Sequence, residues 1–213
     1  MIICHSHRFI YVHPPKTAGT AVSTVLGALC ANSDVQIGDW PGAEYPKIGP
    51  LKGIGKHAPL AMIAPLLLGV DIADYRIVIS VRNPWDRLAS FYHWARAQSD
   101  EHPQIELAKT HDFAGFLAHR RIQRVFGAAP YRAYAAKPDF VLRAERLDAD
   151  LAIFGQTLGV KLGTPDRINA SGRQRDWRPY YTDETRAIIA RISAQDIADY
   201  GYDFDDALAQ QPL

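Results

Sequence analysis

The segment from Phe9 to Leu29, FIYVHPPKTAGTAVSTVLGAL, constrains the fold more than any other part of the chain. It opens as a short β-rich run, breaks at two prolines, and continues with apolar residues at helical spacing. This order predicts a strand, a loop that contains Lys16, and a helix. The first turn of a helix has unpaired N–H groups and the positive end of the helix dipole, so we expect an anion to bind at this junction.

A second junction of the same kind follows further along the chain. The run from Tyr75 to Val81 is rich in β-branched residues and is typical of a strand buried on both faces. A helix is predicted directly after it, because Asn83 can cap the helix, Pro84 suits its first position and Asp86 complements its positive end. A third strand is predicted from Asp139 to Arg143.

The remaining pattern alternates in the same way. Helical spacing predicts helices from His111 to Arg121 and from Leu147 to Leu158, and Thr182 is predicted to cap a last helix. The segment from Asn32 to Gly55 is rich in Gly and Pro and is predicted to be irregular. Strands that alternate with helices favour an α/β fold with a mainly parallel central sheet, in which ligands bind at the carboxyl ends of the strands.

Length and charge limit the function classes. The 213 residues, without a visible repeat, predict a single domain that spans residues 1–213. Lys and Arg number 24 against 23 Asp and Glu, so we expect no nucleic acid partner, and any anion site must be local. No apolar run suits a membrane span and the start does not follow the pattern of a signal peptide, so a cytoplasmic protein is expected. The oligomeric state is left open by the sequence.

The two cysteines raise the question of a disulfide or a metal site. Cys4 and Cys30 are too few for a disulfide framework, and we expect both to be reduced. Cys4 lies near His5 and His7, which are residue types that metals bind. We expect the first residues to form a frayed, solvated tail without a fourth ligand, and therefore predict no metal there.

The loop HPPKTAGT supplies the groups that a phosphate site needs. Lys16 is cationic, Thr17 and Thr20 carry hydroxyls, and a flexible Gly19 is expected to let the backbone close on the anion. The Walker pattern does not match, because no glycine precedes Lys16. The loop therefore predicts a phosphate site of a different class.

The junction VRNPWDRLAS offers a second anion site. Arg82 is predicted at a strand end and Ser90 about two turns into the helix, so a guanidinium and a hydroxyl can approach one phosphate. Two anion sites on neighbouring strands indicate a ligand with phosphate groups at both ends. The alternative is a structural Arg82 that forms a buried ion pair with Asp86 or Glu145.

Several segments, taken together and in order, resemble the sulfotransferases that depend on 3′-phosphoadenosine 5′-phosphosulfate (PAPS). FIYVHPPKTAGTA is similar to the 5′-phosphosulfate loop of that family, and IVISVRNPWDRLASFYHW is similar to its 3′-phosphate motif. KHAP, DFVLRAERLDADL and the tail from Ile168 to Phe204 also resemble the family in order and spacing. The likeness covers most of the chain and is greatest for the carbohydrate sulfotransferase branch related to heparan sulfate 2-O-sulfotransferase.

The resemblance implies a P-loop-like, three-layer α/β fold that binds PAPS without a metal. It implies transfer of the sulfuryl group to a hydroxyl of a carbohydrate or another small molecule, which leaves PAP as product. Lys16 would contact the oxygen between phosphate and sulfate. The basic loop SGRQRDW departs from the Arg-Lys-Gly form of the cytosolic branch. The other implied cofactor residues are Thr17, Ala18, Gly19, Thr20 and Ala21 at the 5′-phosphate, Arg82 and Ser90 at the 3′-phosphate, and Ser171, Gly172 and Arg173 in a lid over the nucleotide.

The acceptor hydroxyl must lose a proton to a base whose pKa lies near the working pH, which favours histidine. His57 is our prediction, because GKHAP lies between the irregular segment and a helix, and the matching position of the family often carries a catalytic histidine. His13 and Glu44 remain alternatives. Lys16 is suited to stabilise the charge that develops on the leaving oxygen.

Two other functions remain open. A small P-loop kinase would use Thr17, but it also needs an acidic residue at a strand end for magnesium, where this chain has Arg82. A non-catalytic nucleotide-binding protein would keep the cofactor pocket without turnover. The effect of replacing His57 separates an enzyme from a sensor, and the preference for PAP over ATP separates a sulfotransferase from a kinase.

Overall fold

The computed structural model describes residues 1–165, 174 and 176–205. The chain divides into two compact units. Among the described residues, unit 1 comprises 1–81 and 131–165, and unit 2 comprises 82–130, 174 and 176–205. The single sulfotransferase domain predicted for residues 1–213 stays a prediction.

Unit 1 is built on a sheet. Its described strands are β1 (Ile2–Cys4), β2 (Phe9–Val12), β3 (Val35–Gln36), β4 (Arg76–Val81) and β5 (Phe140–Arg143). They lie in the order β3-β1-β2-β4-β5. The pairs β2–β4 and β4–β5 are parallel, whereas β1 is antiparallel to both β2 and β3, so four strands share one direction. The prediction of an α/β protein with a mainly parallel sheet is confirmed.

The first residues form strand β1, so the prediction of a solvated tail was wrong. Ile3 pairs with Ile10 across the β1–β2 hairpin, and Ile2, Ile3 and Cys4 are fully buried. A polar turn with a positive φ of 50° at Arg8 reverses the chain after β1. The polar residues of this turn gave no sign in the sequence that β1 and β2 pair. Burial of two isoleucines offsets the cost of ordering so short a segment.

Helices account for most of the other described structure. In chain order they are α1 (Gly19–Gly27), α2 (Leu60–Ile63), α3 (Pro84–Arg96), α4 (Pro103–Thr110), α5 (Phe113–Ala118), α6 (Arg120–Gly127), α7 (Tyr131–Tyr134), α8 (Leu147–Leu158), α9 (Asp183–Ile192) and α10 (Ala194–Tyr200). Short 3-10 turns lie at Ala64–Leu66, Ile72–Asp74, Ala144–Arg146 and Arg178–Tyr180. The described chain holds no helix with the length and apolar character needed to cross a membrane.

The helix predictions were partly right. Helix α8 has the predicted bounds, and Thr182 caps α9 by accepting a hydrogen bond from the N–H of Thr185. The helix predicted from His111 to Arg121 is divided, because the His119 side chain accepts a hydrogen bond from the N–H of Arg121 and caps α6. Helix α9 is not the last, since α10 follows it directly.

Each unit has its own apolar core. In unit 1, helices α1 and α8 cover one face of the sheet, where alternate strand residues such as Phe9, Tyr11 and Val78 point. In unit 2, the core is formed by α3 to α6 and α9, with Trp85 and Phe116 among its buried rings. The unit 1 arrangement places the carboxyl end of β2 directly before the loop that leads to α1.

Candidate functional site

The loop between β2 and α1 has an unusual backbone. Lys16 has a φ of 64°, and Ala18 has a φ of 59° and a ψ of 19°, which is the left-handed region. Each such residue other than glycine costs about 1 kcal/mol, which the surrounding structure must offset. Loops with left-handed residues turn backbone N–H groups towards a common concave space that suits an anion.

Helix α1 begins immediately after this loop. Gly19 is its first residue, and the N-cap residue, Ala18, makes no side-chain hydrogen bond to the helix among the described residues. The first-turn N–H groups, which have no partner within the helix, and the positive dipole end therefore adjoin the loop. Lys16, Ala18 and Thr20 are half-buried, whereas Ala21 is buried.

Gly19 serves a purpose other than the predicted flexibility. Its φ lies outside the left-handed region, which Lys16 and Ala18 occupy instead. A Cβ atom added at Gly19 would lie 1.8 Å from the ring of His13. The glycine is therefore required because the His13 imidazole packs directly against the start of α1.

The Thr17 hydroxyl is directed into the protein, so the predicted contact of Thr17 with the 5′-phosphate stays a prediction for its backbone alone. Thr17 is fully buried, and its hydroxyl donates to the carbonyl of Pro14 over 2.8 Å. It also lies 2.7 Å from the hydroxyl of Ser80, which lies 2.7 Å from that of Tyr11. Burial raises the pKa of Tyr11, so its phenol stays protonated. This hydrogen-bonded chain ties the loop to β4, and only the backbone of Thr17 remains for an anion.

His57 is held beside the loop with a defined tautomer. Its Nδ1 lies 2.6 Å from the carbonyl oxygen of His13, so Nδ1–H donates and Nε2 is left as the acceptor. Burial lowers the pKa of His57 to about 4, although the bond to the His13 carbonyl acts in the opposite direction. The imidazole is therefore neutral at neutral pH, and its Nε2 can accept a proton.

His13 lies beneath the loop and links it to His57. The two imidazole rings are 4.6 Å apart, and His13 is only 2% exposed. Burial, with contributions from His57, Lys56 and Lys16, holds the pKa of His13 well below its usual value. Within the described residues its Nδ1 has no hydrogen-bond partner. So buried a ring presents little surface to an acceptor, which argues against His13 as the base.

Lys56 and Glu44 are the other charged residues of unit 1 that bear on this site. Lys56 donates to both carboxylate oxygens of Asp39, over 2.8 and 2.9 Å, and so anchors the segment that carries His57. Glu44 is exposed and lines a cavity of about 810 Å³ beside Thr24 and Gly27 in the C-terminal half of α1. Lys16 lies before the other end of that helix, so the structure does not bring Glu44 to the loop.

In unit 2, Arg82 takes part in an ion pair. Asn83 caps α3 by accepting a hydrogen bond from the N–H of Trp85, and this places Asp86 in the first turn. Arg82 Nε donates to Asp86 Oδ2 over 2.6 Å, with both side chains largely buried. The alternative of a pair with Asp86 is therefore observed. Ser90 lies one turn beyond Asp86 and is 6% exposed, which leaves little surface for a phosphate contact.

The predicted residues thus fall into three sets. Lys16, Ala18 and Gly19 lie around the loop with His57, whereas Arg82 and Ser90 belong to unit 2. Ser171, Gly172 and Arg173, the predicted lid, lie outside the described residues. Comparison of the chain with models of protein families, with curated proteins and with solved structures found no match.

Proposed function

We propose that this protein is a PAPS-dependent sulfotransferase with a P-loop-like, three-layer α/β fold. The observation that carries the proposal is the loop before α1. There, left-handed residues at Lys16 and Ala18 lead into a helix whose N-cap residue, Ala18, offers no capping side chain, beside the neutral His57. This arrangement supports binding of an anion next to a group that can accept a proton.

The proposed reaction moves a sulfuryl group from PAPS to a hydroxyl of a carbohydrate or another small acceptor. The acceptor oxygen bonds to sulfur as the bond between sulfur and the phosphate oxygen breaks. Lys16 stabilises the charge on that leaving oxygen, and the loop N–H groups hold the 5′-phosphate.

His57 is proposed as the base that takes the proton of the acceptor hydroxyl at Nε2. The bond from its Nδ1 to the His13 carbonyl keeps Nε2 unprotonated and oriented. A pKa of about 4 is low for a general base at neutral pH. A bound phosphosulfate adds negative charge nearby, which raises the pKa of His57 towards the working range.

The residue types after β4 favour PAPS over ATP with magnesium. Arg82 follows that strand where a kinase would have an acidic magnesium ligand. The nearest acidic residue along the chain, Asp86, is engaged by Arg82 itself. Neutralisation of the ligand by cationic side chains is therefore the better-supported arrangement.

Calorimetry with PAP tests the ligand class. PAP is expected to bind the intact chain, and more tightly than ATP with magnesium. Lys16→Ala should weaken binding of PAPS and lower the transfer rate by about 100-fold or more. Lys161→Ala removes an exposed lysine from the same unit and serves as the matched control. Tighter binding of ATP with magnesium, or no heat with PAP, would overturn the proposal in favour of a kinase or another protein.

Turnover separates an enzyme from a nucleotide-binding protein. PAP release from PAPS is measured in the presence of a panel of carbohydrate hydroxyl acceptors. His57→Ala is expected to abolish acceptor-dependent release while the affinity for PAP stays within about twofold, because the imidazole acts on the acceptor. A wild-type chain that binds PAP tightly but releases none with any acceptor would favour the sensor.

The role of Arg82 at the 3′-phosphate is a separate hypothesis, since it rests on the resemblance. Arg82→Ala should remove the preference for PAP over adenosine 5′-phosphate, which has no 3′-phosphate. Asp86→Asn breaks the same ion pair but keeps the guanidinium, and it should retain that preference. An unchanged preference in Arg82→Ala would leave Arg82 with a structural role only.

A further inference from the structure

Cys4 and Cys30 lie side by side, a feature that the proposed function does not use. Cys4 is in β1 and is fully buried, whereas Cys30 follows α1 and is half-buried. The Sγ atoms of both cysteines and a carboxylate oxygen of Asp34 all lie within 4.8 Å of one another. Both thiols are free, so the fold joins two reduced cysteines that are distant in sequence.

Asp34 fixes the two segments that carry these cysteines. Its Oδ1 accepts a hydrogen bond over 2.6 Å from the N–H of His5, the residue after Cys4. Its Oδ2 accepts one over 2.8 Å from the N–H of Ala31, the residue after Cys30. One carboxylate thus sets the position of both thiols.

The same contacts argue against a metal at this cluster. Besides those two bonds, Asp34 accepts hydrogen bonds from the N–H and the hydroxyl of Ser6 and, over 3.4 Å, from the Cys4 thiol, so its oxygens are already engaged. The neighbouring His5 has its Nδ1 2.6 Å from the hydroxyl of Tyr75. Among the described residues two thiols remain as ligands, whereas a structural zinc ion takes four. Adjacent thiols are instead suited to oxidation to a disulfide.

The surroundings give each thiol a different part in that oxidation. The neighbouring Cys30 lowers the pKa of Cys4, whereas the neighbouring Cys4 and burial together raise the pKa of Cys30. Cys30 is the accessible sulfur and meets the small disulfide first, although its raised pKa makes that attack the slower of the two. The lower pKa of Cys4 suits it to the second attack, on the sulfur of Cys30 beside it. Cys30 and Asp34 line the cavity of about 810 Å³ described above, which gives a small molecule a route to Cys30.

We propose that Cys4 and Cys30 are a redox-active thiol pair that a small organic disulfide converts into an intramolecular disulfide. Cys30 Sγ attacks one sulfur of the small disulfide and releases the first thiol. Cys4 Sγ then attacks Cys30 Sγ and releases the second thiol. The S–S bond of the small molecule breaks, one S–S bond forms in the protein, and both cysteine protons leave on the two released thiols. This disulfide would close a covalent loop from Cys4 to Cys30, and that segment includes Lys16.

The test treats the reduced, full-length chain with oxidised glutathione and follows intact mass, free thiols and non-reducing peptide maps. The expected product has lost two hydrogens, carries no glutathione and links the Cys4 and Cys30 peptides. In Cys4→Ser, Cys30 should retain one glutathione, because the resolving thiol is missing. In Cys30→Ser, the buried Cys4 should react about tenfold more slowly than Cys30 does in the other variant.

Cys4→Ala repeats the first variant with an apolar side chain, in case serine at a buried position prevents folding, which circular dichroism checks. A wild-type chain that keeps glutathione on either cysteine, links only to a second chain, or retains both thiols overturns the proposal. Protection of both thiols by one equivalent of Zn²⁺ in the reduced chain also overturns it, because the pair would then be a metal site.

Discussion

The α-carbon of Gly19 lies against the imidazole of His13, where an added Cβ would be 1.8 Å from the ring. Two observations in the candidate site depend on this contact: the start of α1 and the placement of the carbonyl that holds His57. A methyl group at Gly19 must displace either the ring or the loop. This single contact between Gly19 and His13 therefore determines whether the loop keeps its conformation.

Gly19→Ala is expected to lower the free energy of unfolding by about 1–3 kcal/mol, because the methyl group overpacks a filled space. Urea unfolding measures this loss. In a His13→Ala background the same substitution should cost less, since the ring that it would strike is gone. Gly163→Ala, where none of the described residues lies within 4 Å of the new Cβ, is the control and should change little. Equal effects of the two alanines would contradict the steric account.

His57 predicts a pH dependence of stability. Its pKa is lowered from 6.5 to about 4 in the folded chain, so the unfolded chain binds a proton first as the pH falls. The folded state therefore loses stability between about pH 6.5 and pH 4. Between pH 7 and pH 5 the wild type should lose about 2 kcal/mol more than His57→Gln, as measured by urea unfolding at both values. Parallel losses in the two proteins would show that His57 does not titrate in this way.

Some of these residues were visible in the sequence and others were not. The two prolines and Lys16 mark the loop, because strand and helix patterns flank them. The inward direction of the Thr17 hydroxyl was missed, although the polar Ser80 within the apolar run YRIVISV was a signal that β4 needs a buried partner there. The contact between Gly19 and His13 depends on ring placement, which no spacing rule contains.

At the scale of elements, the ends of a helix were predicted correctly where residues at those ends determine them. Asn83 and Pro84 fix the start of α3, and the same kind of signal at Thr182 fixes the start of α9. The prediction missed strand β1, because its three residues form a strand only when β2 and β3 pair with them. Short elements take their stability from such partners rather than from propensity.

Asn83 should matter more than an ordinary helix cap. It accepts from the N–H of Trp85 and also donates from Nδ2 to the carbonyl of Asp203 over 2.9 Å. Asn83→Ala is expected to lower the free energy of unfolding by about 2 kcal/mol, since it removes both bonds. Asn83→Ser keeps a capping oxygen but not the second donor, and it should lose about half as much in urea unfolding. An unchanged free energy of unfolding in Asn83→Ala would show that other groups replace both hydrogen bonds.

For the whole molecule, the class of fold was predictable and the division of the chain was not. Alternation of strands and helices gave the α/β class, because each periodicity is local. The two units depend on which apolar residues cluster across long sequence separations. The chain leaves unit 1 after Val81, residues 82–130 form part of unit 2, and the chain re-enters unit 1 at Tyr131. No change in amino-acid composition marks this second boundary.

This interrupted course sets the order in which the sheet can be assembled on the ribosome. Strands β1 to β4 are complete by Val81, but β5 starts only at Phe140. The side of β4 that will pair with β5 stays open while residues 82–139 are translated, which takes several seconds at ~5–20 residues per second. An open edge of β-branched residues invites pairing with other chains. The nascent protein therefore passes through a stage in which a chaperone that covers β4 would raise the yield of folded chain.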